Sequence, residues 1–207
     1  MDNDKWADPR KMWDERFAQP EAVYGDGPNR FLREQASLWK PGALVLVPGD
    51  GYGRNGLWLA QQGFQVQTVD LSPVGVARAR KNANAAGVQV NIECADLAAW
   101  TWPVQKFDAV ASIFLHLPPD VRPQIHASML NALKPGGTLV LEAFSPEQLK
   151  YASGGPKQVD LLYTAELLRS DFAGADFAEL AESVVELEEG RMHSGPGAVV
   201  RTVLRRL

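Results

Sequence analysis

A single cysteine, Cys94, occurs in the 207 residues, so no disulfide can form within the chain. The three histidines have no zinc-like spacing with it, and no metal site is expected. Basic residues are in the minority, 21 Lys and Arg against 25 Asp and Glu, a formal net charge of −4. Without a basic stripe to neutralise phosphates, a nucleic-acid or membrane-surface partner is not expected. No apolar run approaches the roughly 20 residues a spanning helix needs. The opening MDNDKWADPRK is charged from its second residue and lacks the apolar stretch of a secretory signal, so the cytoplasm is the expected location. Repeats, low-complexity segments and interdomain linkers are missing too. What remains is an ordinary globular composition, 45% apolar and 22% charged. A chain of this length is expected to fold as one domain and to bury roughly 70% of its unfolded surface.

Two helical runs come first, at 5–18 (KWADPRKMWDERFA) and 29–39 (NRFLREQASLW), joined by PEAVYGDGP. Strand-like and helix-like runs then alternate. ALVLV (43–47), FQVQTVD (64–70), VQVNIEC (88–94), FDAVASIF (107–114) and GTLVLEAF (137–144) read as strands. RNGLWLAQQG (54–63), SPVGVARARKNANAAG (72–87) and PDVRPQIHASMLNALKPGG (119–137) read as helices. In the second of these Ser72 is placed to cap the start, Pro73 stands where a missing N–H does no harm, and Gly87 stops it. Such alternation predicts an α/β fold, a doubly wound and mostly parallel sheet with right-handed crossovers. After residue 145 the pattern changes to a turn-rich loop, a short helix TAELLRSDF and two strand-like runs, FAELAESVVELEEG and GAVVRTVLRRL. That pair is expected to close a seven-stranded Rossmann-like sheet as an antiparallel hairpin. The division expected is a helical N-terminal lid, 1–40, on a core of 41–207.

The turn after the first strand, VLVPGDGYGRNG, fits two glycine patterns. Gly51-x-Gly53-x-x-Gly56 matches a dinucleotide fingerprint, whereas Gly49-x-Gly51-x-Gly53 matches the loop of S-adenosylmethionine (SAM) enzymes. Glycines there permit positive φ and close backbone approach, though they also occur in tight turns that bind nothing. Three features favour SAM. Asp70 ends the second strand, where a carboxylate can accept from both ribose hydroxyls. Asp96, just after the third strand, can accept the adenine amino proton. The closing strand pair leaves no room for the substrate domain of a typical dehydrogenase, and only Arg54 near the glycines could help a pyrophosphate.

VLVPGDGYGRN, VDLSP, ECADL, FDAVASIFLHLPP and LKPGGTLVLEAF together resemble the motifs of class I SAM-dependent methyltransferases. WDERF…VYGDGPNRFL and EGRMHSGPGAVVR are similar to the tellurite-resistance-type members, relatives of thiol and thiopurine methyltransferases. The sequence departs from that pattern at Asp50, where cysteine or glutamate is common, and at Pro48, where a small residue is usual. The resemblance implies SAM as cofactor, giving S-adenosyl-L-homocysteine, and a binding set of Gly49, Asp50, Gly51, Gly53, Asn55, Asp70, Leu71, Ser72, Asp96, Leu97 and Ile113. Asp50 is expected to reach the methionine amino group.

The acceptor is expected to be a small molecule. Enzymes that methylate nucleic-acid amines carry Asn/Asp-Pro-Pro-aromatic at the end of strand four; this chain has Ser112-Ile113-Phe114-Leu115. No acidic cluster suits a catechol-type magnesium site. A soft nucleophile, a thiol or a chalcogen oxyanion such as tellurite or selenite, fits better. His116 either caps a loop or stands near the transferring methyl. His193 and Arg201 are expected to act on the acceptor, with Arg191 beside them, and Trp13, Arg16 and Tyr24 to close over it. Cys94 reads as a small buried residue, and the acids from Glu179 to Glu189 as a solvated strand face. A nicotinamide oxidoreductase and a SAM-binding protein without turnover are the competing readings, and the chain is expected as a monomer or homodimer.

Overall fold

The computed structural model describes residues 8–207. Seven strands form one sheet in the order β3-β2-β1-β4-β5-β7-β6. They are β1 (Leu44–Pro48), β2 (Gln65–Asp70), β3 (Asn91–Cys94), β4 (Phe107–Ile113), β5 (Leu133–Phe144), β6 (Ala175–Glu188) and β7 (Ser194–Arg206). The first five run parallel, while β7 lies antiparallel to both β5 and β6. The expected doubly wound sheet with a closing hairpin is therefore present.

Helices α1 (Pro9–Phe17), α2 (Arg30–Gln35), α3 (Arg54–Gln61), α4 (Pro73–Ala86), α5 (Arg122–Ala132) and α6 (Ala165–Asp171) connect and flank the strands. Both sheet faces are covered, which is why the inner strands are apolar without a break. Leu46 and Val110 point to one core, with Ile125, Met129 and Phe172. Their neighbours Val45, Val47, Ala109 and Ala111 point to the other, with Phe31, Leu32 and Leu59. Each large side chain so buried contributes about 1.5–3 kcal/mol. The outer strand β6 instead shows Glu182, Glu186 and Glu188 to solvent, charges that discourage edge pairing.

Local signals set several element ends. Ser72 caps α4 by accepting from the Gly75 N–H, and Gly87 ends it with φ 66°. Other ends differ from expectation. The first helix covers Pro9–Phe17, residues 5–7 lying outside the described residues. The second is six residues followed by a 3₁₀ turn, Ala36–Leu38. Strand β3 begins at Asn91 and not Val88. Helix α5 stops at Ala132, where the chain enters β5 directly; the pairing of β4 with β5 shifts between Phe107 and Ala109, so Lys134–Gly137 bulge outward.

The chain winds from β1 outward through β2 and β3, then crosses back to β4 and β5. The crevice beyond the carboxyl ends of β1 and β4 is the switch point at which doubly wound sheets hold ligands.

Candidate active site

The glycine turn after β1 is held from beneath by carboxylates. Asp50, buried, accepts from the N–H groups of Asn55 (3.2 Å) and Gly56 (2.9 Å), satisfying the first turn of α3. Gly56 is a packing glycine, because a Cβ there would lie 2.6 Å from both Asp50 Oδ2 and Thr68 Cγ2. Burial raises the Asp50 carboxyl to about 7, against the two N–H groups and Arg54. Asp70, at the end of β2, accepts from Gly51 N (2.7 Å) and Ser72 N (2.9 Å), tying the glycine turn to the start of α4. Gly49 and Gly51 have φ of 69° and 57°. A Cβ on Gly49 would meet Leu115 at 2.8 Å, and one on Gly51 would meet the Phe17 ring at 2.5 Å. The cradle is thus floored by bare backbone and roofed by two apolar side chains.

The other residues expected at the cofactor divide in their surroundings. Asp96 is exposed, with Oδ1 accepting from Ala98 N, 2.9 Å. Ser72 donates through Oγ to Asp14 on α1 and is fully buried. The Asn55 side-chain oxygen accepts from Asn29 N, 2.9 Å, and so secures the N-terminal segment. Leu97 and Ile113 lie in the hydrophobic cores. The Leu71 carbonyl faces the Cys94 thiol at 3.8 Å. Cys94 is exposed beside Asp96, contrary to the buried position expected, because β3 ends there and none of the described residues covers it.

On the other side of the crevice is an aromatic chamber. Phe114, the residue after β4, has φ 50°, a conformation that a bulky side chain adopts only under constraint from its surroundings. Its ring stacks on Phe144 (4.6 Å between centroids) and meets the edge of His193 at 4.4 Å. Tyr24 covers the same imidazole at 4.7 Å. Trp13 stacks on Phe17 (5.4 Å), and Arg16 lies over Trp13 while donating to the Tyr24 hydroxyl, 2.6 Å. Gly154, with φ 104°, brings backbone against the histidine: a Cβ there would be 2.9 Å from His193 Cδ2. His193 is only 4% exposed, and its Nδ1 has no hydrogen bond among the described residues. Burial lowers its basicity, with Arg54 and Arg16 adding to the effect and Glu189 opposing it.

Three residues expected at the acceptor are engaged elsewhere. His116 has Nδ1 2.6 Å from the Leu161 carbonyl, while Nε2 accepts from Phe144 N at 3.3 Å, so neither ring nitrogen is left to meet an acceptor. Desolvation brings its pKa down to about 4, and the ring ties the turn at Leu161 to the end of β5. Arg201 places Nε and Nη2 on Glu142 Oε1, 3.0 and 2.9 Å, with its guanidinium over Phe31. Arg191 is exposed and contacts Gln19 and Glu21 on the surface.

A buried row of charge joins segments far apart in the chain, and little in the residue pattern signals it. Asn29 donates to Glu142 Oε2 (2.6 Å) and to Glu189 Oε1 (2.8 Å); Arg201 flanks the first acid and Arg54 the second, at 2.6 Å. Glu189, expected on a solvated face, is 8% exposed. Its partners lie as far as 160 residues away in sequence, beyond any spacing rule. Glu142 did carry a signal, an acid inside an apolar strand, which must be paired if buried. Beside this row Met192 N donates to the Val23 carbonyl at 2.9 Å. Gly25 and Gly190 touch backbone to backbone, with a Cβ on Gly190 falling 2.2 Å from Gly25 N.

Comparisons with known proteins agree with this layout. Residues 45–137 match a family model described as a methyltransferase domain. Over 128 residues the chain is 32% identical to a probable thiol methyltransferase 2 of Arabidopsis thaliana, covering 60% of this chain and 54% of that protein, about half its length. It is 26% identical over 166 residues to thiocyanate methyltransferase 1 of the same plant, covering 79% and 68%. A solved structure described with the conversion of a disulfide bond into a thioacetal group during echinomycin biosynthesis shares the fold, with TM-score 0.77 and 22% identity over 96% of this chain and 92% of that one. The domain match runs from β1 into β5, across the strands that carry the glycine turn and Asp70, on a sheet wound in this order.

Proposed function

We propose that the protein transfers a methyl group from SAM to a small, soft nucleophile, a thiol or a chalcogen oxyanion. The observation that carries this reading is the chamber itself. Tyr24, Phe114 and Phe144 pack around the deeply buried His193, and Trp13 with Phe17 extends the aromatic wall from Tyr24, surroundings suited to a small acceptor. The thiol and thiocyanate relatives support a sulfur acceptor without identifying it.

The residues present fit SAM. Gly49 and Gly51 leave backbone bare where Cβ atoms would otherwise stand, and Asp70 lies at the end of β2 beside them. Asp70 would hold the ribose, Asp96 the adenine edge, and Asp50 with the glycine backbone the amino-acid end. When bound, SAM supplies an electrophilic methyl on a sulfonium. The chain's part is then to orient the nucleophile and exclude water, and orientation alone is worth about 7–11 kcal/mol. His193 accepts or steers the proton of the incoming nucleophile; a thiol with an ordinary pKa of about 8.5 needs only modest help. Arg16 and Tyr24 offer donors to an anionic acceptor, a role expected for Arg201 from sequence. The N-terminal segment, described from residue 8 to residue 40, acts as a lid on the core of 41–207, with α1 resting Phe17 on the glycine turn.

The test is a labelled-methyl assay against thiols, thiocyanate, selenite, tellurite and halides, with calorimetric titration of SAM, S-adenosylhomocysteine and NAD. Product from a sulfur or chalcogen acceptor supports the reading. NAD binding without SAM binding would establish the oxidoreductase alternative, and SAM binding with no product from any acceptor would establish a non-catalytic role.

A further inference from the structure

His193 presents a buried nitrogen with nothing to bond. Its Nδ1 lies 3.9 Å from Glu189 Oε2, too long for a hydrogen bond, yet this carboxylate is the acid facing it. Glu189 cannot easily move away. Oε1 is fixed by Asn29 Nδ2 at 2.8 Å and Arg30 N at 3.2 Å, and Oε2 by Arg54 at 2.6 Å. The imidazole is the freer partner, because it meets Phe114 and Phe144 edge-on and Tyr24 at a tilt, and its Nδ1 has no hydrogen bond among the described residues to hold it.

We propose that Glu189 is a positioning residue for His193: it draws the Nδ1–H toward Oε2, fixes the tautomer, and leaves Nε2 as the proton acceptor in the chamber. This rests on the methyl-transfer reading above, with His193 next to the acceptor. The other charged or titratable groups near the imidazole are Arg54 from α3, Arg16 and Tyr24 from the N-terminal segment, and His116 after β4. Among these, Glu189 supplies the negative charge that stabilises an imidazolium. Burial works against the charge on Glu189 itself, but His193, Arg54 and the Arg30 N–H outweigh it and hold the carboxyl at about 2, so it stays ionised throughout the working range. In the transfer, the acceptor's proton passes to Nε2, the acceptor lone pair forms the new bond to carbon, and the carbon–sulfur bonding pair leaves with sulfur. The positive charge so gained by the imidazole faces Glu189 and not bulk solvent.

The experiment is nitrogen-15 NMR of the imidazoles in the full-length protein, tractable because the chain has three histidines. The unaltered protein is expected to show His193 as the Nδ1–H tautomer; the Nε2–H tautomer would overturn the proposal without any variant. In Glu189→Gln the titration midpoint of His193 should fall by about one unit or more, the scale of an opposite charge at this range. An unchanged midpoint in the folded variant would overturn it. Kinetics supply the third arm. Glu189→Gln should lower kcat about tenfold in the unaltered background and have no further effect in His193→Ala. Equal losses in both backgrounds would make Glu189 a purely structural residue. If the protein methylates none of the acceptors offered, the methyl-transfer reading fails, while the tautomer and titration still decide the Glu189–His193 pairing.

Discussion

Replacing Arg201 by alanine separates two views of the C-terminal hairpin. The guanidinium places two donors on one oxygen of Glu142, a residue with no exposure, and covers the Phe31 ring at 4.8 Å. In Arg201→Ala that carboxylate keeps a single neutral donor, Asn29 Nδ2. Breaking a buried ion pair from one side costs about 3–5 kcal/mol, a large part of the roughly 5–15 kcal/mol that holds a domain together. At about 2–4 °C per kcal/mol for a chain of this size, Tm should fall by about 6–20 °C. The loss should also depend on pH. Burial already raises the Glu142 carboxyl, Arg201 opposes that, and removing the arginine raises it further. An acid whose pKa is raised in the folded state contributes stability that is fully present below its unfolded pKa and is lost as pH rises through the folded value. The variant should therefore lag the unaltered protein more at pH 8 than at pH 5. Adding Glu142→Gln should recover part of the loss, since a neutral amide can still accept from Asn29. Urea and thermal unfolding at the two pH values are the assay. If Arg201→Ala melts within a degree or two of the parent at both pH values, yet turns over roughly 10²-fold more slowly, Arg201 belongs to the acceptor and the ion-pair argument fails.

Asp70→Ala should weaken SAM binding at least tenfold by calorimetry, since hydrogen bonds to charged groups are worth about 1.5–3 kcal/mol each; unchanged affinity in a folded variant would misplace the ribose. The same change frees Gly51 N and Ser72 N, so a lower Tm should accompany it. His193→Ala should cut turnover about 10²-fold while SAM affinity changes less than twofold, and normal turnover would exclude it as the acceptor's base. Asp50 titrates at about 7 when folded against an ordinary 3.8, so its share of stability is full below pH about 4 and lost as pH rises through about 7. The difference in urea midpoint between the unaltered protein and Asp50→Asn should drift across that window, and a constant difference would refute the assignment.

The sheet was legible because its evidence is local. Alternation in FQVQTVD, the Ser72 cap and the Gly87 stop each act within a few residues, and the glycine turn is a contiguous string. The site was legible only where it sits on that string. Gly49, Gly51 and Asp70 are brought together by β1 and β2 running side by side. Asn29, Arg54 and Glu189 are assembled by long-range closure, and each alone looks like an ordinary surface polar residue. His116 and Arg201 have protein partners that the sequence does not reveal, for a related reason. A polar residue at a strand end near a pocket can face the ligand or satisfy buried backbone and charge, and composition does not separate the two. Here a carbonyl of the 159–161 turn and the buried Glu142 claim them. Cys94 is misread from residue type alone, because β3 is short and its end lies open.

The glycine-to-glycine contact between positions 25 and 190 bears on how the protein comes into being. A chain emerging from the ribosome can lay β1 against β2 and β4 early, because those pairings span modest stretches of sequence. The chamber has to wait. Its wall at Tyr24 and Asn29 does not meet Glu189, Gly190 and His193 until the segment that carries them, as far as 160 residues on, has been made. Until then the glycine turn can exist without the proposed acceptor wall, so a product ending before Glu189 should bind SAM without methylating an acceptor, if the proposed site is right. Fastening residues 24–29 to the 189–193 turn makes the proposed acceptor wall wait on the synthesis of both segments.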